Sequence, residues 1–140
     1  MQFELRPHQL VGPIHFGMRR EEVRSVIPAA VRAFKKTLAA TTLVDAFDDQ
    51  GLHVYYDEED ECEAVELAAP AVPVLEGRIL IGQSFAKLRD WLLANDPKTE
   101  VDATGLTAPS LGVGLYAPFA REEPDEPVEG VIAFRPGYYR

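Results

Sequence analysis

A block of sixteen residues occurs twice in this chain. Gly12-Pro13-Ile14-His15-Phe16-Gly17-Met18-Arg19-Arg20-Glu21-Glu22-Val23-Arg24-Ser25-Val26-Ile27, shifted by 65 positions without gaps, lies on Gly77-Arg78-Ile79-Leu80-Ile81-Gly82-Gln83-Ser84-Phe85-Ala86-Lys87-Leu88-Arg89-Asp90-Trp91-Leu92. Gly12/Gly77, Ile14/Ile79, Gly17/Gly82 and Arg24/Arg89 are identical, and Phe16/Ile81, Val23/Leu88, Val26/Trp91 and Ile27/Leu92 stay apolar. A unit of half this chain buries little apolar surface alone. Two units joined through their sheets, with both helices on one side, make a single core.

The periodicity fills in the units. Phe3-Glu4-Leu5 alternates as a short strand, and Met18–Ile27 puts Val23, Val26 and Ile27 on one helical face before Pro28 stops the helix. Val31–Lys36, Leu43–Phe47, Leu52–Tyr56 and Cys62–Leu67 read as strands, with a turn at Asp48–Gly51 and an acidic turn at Asp57–Asp60. Ala68–Pro73 is a short link. Val74–Ile81 reads as a strand or hairpin. Ser84 is a suitable N-cap for a second helix, Phe85 to about Asn95, with Phe85, Leu88, Trp91 and Leu92 inward. Glu100–Asp102, Leu111–Tyr116 and Val128–Phe134 complete the strands. The expectation is one α+β domain over residues 1–140. Two β-α-β-β(-β) repeats, about 1–68 and 74–140, share an antiparallel sheet with two helices packed on it.

Gly17-Met18-Arg19-Arg20-Glu21-Glu22-Val23 resembles the helix start of the SmpA-type outer-membrane assembly lipoproteins and of the β-lactamase-inhibitor-protein-like repeats. The latter resemblance implies two αβ repeats side by side that bind an enzyme across the concave face of a sheet. Over most of its length the chain resembles a family of uncharacterised actinobacterial proteins. The shared features are the Gly-Pro-Ile-x-Phe-Gly-Met block, a Val-Tyr-Tyr strand and the ending Phe134-Arg135-Pro136-Gly137-Tyr138-Tyr139.

Charge narrows the partners. The formal net charge is −9, which opposes the counterion release that drives nucleic-acid binding and opposes anionic membranes. A basic protein fits. Acids gather in two stretches, Asp57, Glu58, Glu59, Asp60, Glu61 and Glu63, then Glu122, Glu123, Asp125, Glu126 and Glu129; together they are eleven of the 23 carboxylates. If both stretches occupy corresponding sheet edges they form one electronegative rim, and complementary fields speed encounter with a basic partner. Alternation turns one of Tyr55 and Tyr56 outward, and with Tyr116 these supply aromatic anchors. The candidate binding set is therefore Tyr55, Tyr56, Asp57, Glu58, Glu59, Asp60, Tyr116, Glu122 and Glu123.

Chemistry is harder to place. One cysteine and three histidines make a structural zinc site improbable, and no metal or cofactor is expected. Cys62 lies between Glu61 and Glu63, a field that raises a thiol pKa, so it reads as a half-buried structural residue and not as a nucleophile paired with His53. The single cysteine, and an N-terminus without the basic start and apolar stretch of a signal peptide, point to the cytoplasm. The leading expectation is a non-catalytic interaction domain of immunity or inhibitor type. Its alternative is a small-molecule-binding or enzymatic domain with a pocket between the helices and the C-terminal tail. Oligomeric state is left open.

Overall fold

The computed structural model describes residues 1–139. Thirteen strands, two α-helices and one turn of 3₁₀ helix (Asp48–Gln50) make a mixed α+β protein, mostly strand. In chain order the elements are β1 (Gln2–Arg6), β2 (Leu10–Val11), β3 (Ile14–His15), α1 (Arg20–Val26), β4 (Arg32–Phe34), β5 (Val44–Phe47), β6 (Leu52–Tyr56) and β7 (Cys62–Ala68). They continue as β8 (Val72–Leu75), β9 (Arg78–Ile79), α2 (Phe85–Asn95), β10 (Glu100–Asp102), β11 (Gly105–Ala108), β12 (Val113–Tyr116) and β13 (Gly130–Phe134). Neither helix is long and apolar enough to cross a membrane.

Eight strands form the large sheet in the order β10-β11-β12-β13-β7-β6-β5-β4, antiparallel throughout. A second sheet, unforeseen in the sequence, runs β3-β2-β1-β8-β9, and its central pair is parallel, Gln2 beside Val72 and Leu5 beside Leu75. Paired residues share a face of a sheet, so register separates the two faces of the large sheet. One face carries Val54, Val65, Ala133 and Val113 in a row, with Leu52, Leu67, Val131 and Leu115 in the next. All eight are buried, in one cluster with Val23 and Ile27, with Phe85, Leu88 and Leu92 of α2, and with Phe3, Leu5, Val11, Ile14 and Leu75 of the small sheet. Burying each Leu or Phe of that cluster is worth roughly 1.5–3 kcal/mol.

Local side-chain chemistry caps the start of each helix. Ser84 Oγ accepts from the Lys87 N–H, and Glu22 Oε1 accepts from the Arg19 N–H. α1 is shorter than the expected Met18–Ile27 because Met18 is held instead by the sheet: its carbonyl accepts from Cys62 N–H at 2.7 Å. β7 does not alternate along its whole length. Tyr55 faces Ala64 and Tyr56 faces Cys62, so Glu63 is an extra residue, a β-bulge. The bulge brings Cys62 to the core while Ala64 and Glu66 stay on the other face.

Candidate functional site

Among the described residues, no helix packs on the second face of the large sheet. A row of eight residues crosses it from edge to edge: Arg32, Ala46, His53, Glu66, Ile132, Gly114, Thr107 and Glu100. The next row is Ala68, Gly130, Tyr116, Gly105 and Asp102. The first-half side is filled by its own side chains. Arg32 lies over Phe34 and pairs with Asp48, Phe34 packs edge-on against His53, and Lys36 lies over Tyr55. The second-half side is bare, because Gly105, Gly114, Gly130 and Ala68 contribute almost no side chain. A groove of about 540 Å³ results. Tyr116 and Tyr139 flank it, Thr104 and Thr107 add hydroxyls, and Glu66, Asp102 and Glu129 are its charged lining residues. Tyr139 is held there by edge-on contacts with Phe134 and Tyr138 at ring separations of 4.9 Å. This groove lies opposite the helices, not between helices and tail.

The expected binding residues separate. Tyr55 is on the open face, its hydroxyl 3.4 Å from Glu66 Oε1, and Tyr116 is exposed there at 51%. Tyr56 points into the core, where its hydroxyl donates to Asp45 Oδ2 at 3.0 Å. Asp57 is engaged within the fold: it accepts from the N–H groups of Glu59 and Glu61 and from Arg135 at 2.6 Å. Burial alone would raise its carboxyl pKa; those bonds bring it below the ordinary value. Asp60 is bound by Arg20, whereas Glu58, Glu59, Glu122 and Glu123 are exposed in loops. The single rim fails on register. Ala64 pairs with Phe134 and Ala68 with Gly130, so the β6–β7 turn and the β12–β13 loop project from opposite ends of the strands.

Sequence reasoning missed a cluster beneath the other face. Asp45, 0% exposed, accepts from Arg24 Nε and Nη2 at 2.9 and 2.7 Å, from Arg20 Nη1 at 2.8 Å and from Tyr56. Burial would push its carboxyl up, but the hydrogen bonds from Arg24 and Tyr56 and the field of Arg20 hold it below the usual range. Arg20 also reaches Asp60 and the Leu43 carbonyl, so the Asp45 carboxylate and the Arg20 guanidinium are both engaged within the fold. The available signal was an acid inside the apolar strand Val44–Phe47 combined with arginines four apart on a helix. Cys62 lies on this side, fully buried, its thiol pushed up to about 12 by burial. His53 is on the open face, so the two form no catalytic pair.

Comparison with family models, with curated proteins and with solved structures finds no match to this chain.

Proposed function

We propose that this is a non-catalytic interaction domain of inhibitor or immunity type that binds a basic protein across the open face of the large sheet. The observation carrying it is that face itself: eight strands wide, without a covering helix among the described residues, and polarised so that the groove on its β7–β13–β12–β11 side is lined by carboxylates and by no cation. Exposed Tyr116 and Tyr139 are suited to anchoring a partner. The carboxylates around them favour a cationic one.

The reading includes a tandem origin, with repeats of about 1–68 and 74–140. Support comes from equivalent positions. Gly17 and Gly82 both have positive φ, 94° and 87°, and both enter a helix. Each is bridged to its own half's last hairpin, Gly17 N–H to the Cys62 carbonyl and Gly82 N–H to the Val128 carbonyl. The large sheet takes four strands from each half, in mirrored order. The likeness to β-lactamase-inhibitor-protein-like repeats is consistent with this arrangement and with use of the sheet face.

A photo-crosslinking side chain in place of Tyr116 tests the docking face in native lysate. A basic protein captured at low salt and lost at high salt is the expected result, with no capture from Ser25 or Leu93 on the helices. Equal capture from the helix positions, or none from Tyr116, refutes it.

A further inference from the structure

We infer that the groove floored by Gly114 and Gly130 receives an arginine side chain of the partner, presented on an extended segment or loop. This rests on the docking reading above and names the contact that reading leaves open. The volume, about 540 Å³, lies within the ~300–1,000 Å³ of ordinary ligand sites and holds one long side chain with its flanking backbone. The charges select the occupant. Glu66, Asp102 and Glu129 line the groove, and no Lys, Arg or His lines it among the described residues. A guanidinium offers donors in several directions within one plane and stacks on phenol rings, so it can meet carboxylates and Tyr116 or Tyr139 together. Glu66 has the Tyr55 hydroxyl at 3.4 Å and Asp102 accepts from the Thr104 N–H at 2.8 Å, but no cationic side chain among the described residues lines the groove, so an anionic occupant would be repelled and an aliphatic one would add no counter-charge. The other half of the face is filled by Arg32, Phe34, Lys36, His53 and Tyr55, which confines a cation to this side.

The glycine floor supplies a clean perturbation. A Cβ on Gly130 would meet Tyr116 Cβ at 3.6 Å and the Leu67 carbonyl at 3.7 Å, ordinary contacts, so a larger side chain projects into the groove without a backbone collision. A Cβ on Gly114 would stand 2.9 Å from Ile132 Cγ2, so that position is left alone.

The experiment titrates the ¹⁵N-labelled full chain with acetyl-Gly-Ser-Arg-Ser-Gly-amide and with the same peptide carrying citrulline for arginine. Shifts gathered at Gly114, Tyr116 and Gly130, a citrulline peptide bound at least about threefold more weakly, and a three- to fivefold loss in Glu129→Gln support the inference, the size being that of an exposed charge contact. Gly130→Leu abolishes binding while keeping a dispersed spectrum. If Gly130→Leu does not fold, Tyr116→Ala decides by the same loss. Unchanged affinity in these variants, equal binding of citrulline, or shifts gathered on residues 57–61 and 119–126 overturn it. Dilution-dependent shifts of the same resonances without peptide make a second copy the occupant and also overturn it. A partner crosslinked from the Tyr116 position and still captured by Gly130→Leu leaves the docking reading intact and removes this one; peptide binding in the groove without any crosslinked partner does the reverse.

Discussion

Removing the Asp45 carboxylate is the most informative perturbation of the fold. Its side chain is 0% exposed and accepts three guanidinium hydrogen bonds, two from Arg24 and one from Arg20, plus the Tyr56 hydroxyl. Deleting one partner of a buried ion pair costs about 3–5 kcal/mol, because the opposite charge is left behind. Two features place this site at the lower end. The Arg24 side chain is 38% exposed and regains water, and Arg20, at 14%, keeps Asp60 and the Leu43 carbonyl. Asp45→Ala therefore loses about 3 kcal/mol, a Tm fall of about 10 °C for a chain of this size. Urea unfolding followed by far-ultraviolet circular dichroism and by Trp91 fluorescence measures it. A double-mutant cycle with Arg24→Met should return a coupling of about 1–2 kcal/mol. The pH dependence has a fixed sign. The folded carboxyl titrates below its unfolded value of about 3.9, so its contribution is full above that value and is lost as pH falls through the lower folded one. Asp45→Asn should thus lose less stability than the parent as the pH falls below about 4. A loss below about 1 kcal/mol in Asp45→Ala, with zero coupling, would show that water replaces the network at little cost.

Three further outcomes follow from single sites. Gly51→Ala should cost about 2–3 kcal/mol in the same urea assay, since φ is 72° and a Cβ would collide with the Ala68 carbonyl oxygen. Cys62 should resist Ellman's reagent in the native protein at pH 8 and react fully in 6 M guanidinium; rapid native reaction would contradict its burial and its thiol near pKa 12. Tyr138, raised by burial to about 12, and Tyr55 and Tyr56, raised above the ordinary phenol value mainly by burial, should leave the 295 nm titration at pH 11 well short of five phenolates; a complete titration there would mean that the core has opened.

Local rules wrote much of the fold into the chain. Ser84, Pro28 and Pro97 bound the helices, and alternation places β6 and most of β7. β11 escaped because Gly105-Leu106-Thr107-Ala108 has one large apolar residue and a proline after it, too little for a period. The parallel contact of β1 with β8 joins residues 70 positions apart, which no local pattern encodes. The bulge at Glu63 was equally hidden, since alternation assumes one residue for one. Of the site, alternation required one of Tyr55 and Tyr56 to face outward without choosing between them, and Tyr116 was legible only as an aromatic in a strand. The groove was not, because it is made by absent or minimal side chains on four strands whose adjacency only the register reveals.

The seam between β7 and β13 is antiparallel, and antiparallel neighbours exchange places under a half-turn. A fragment ending near residue 68 would carry β7 as a naked border, and the partner best shaped to cover it is another fragment of the same kind. Cutting the chain between its halves would thus trade an intramolecular junction for an intermolecular one, with stability then set by how much fragment is in the tube.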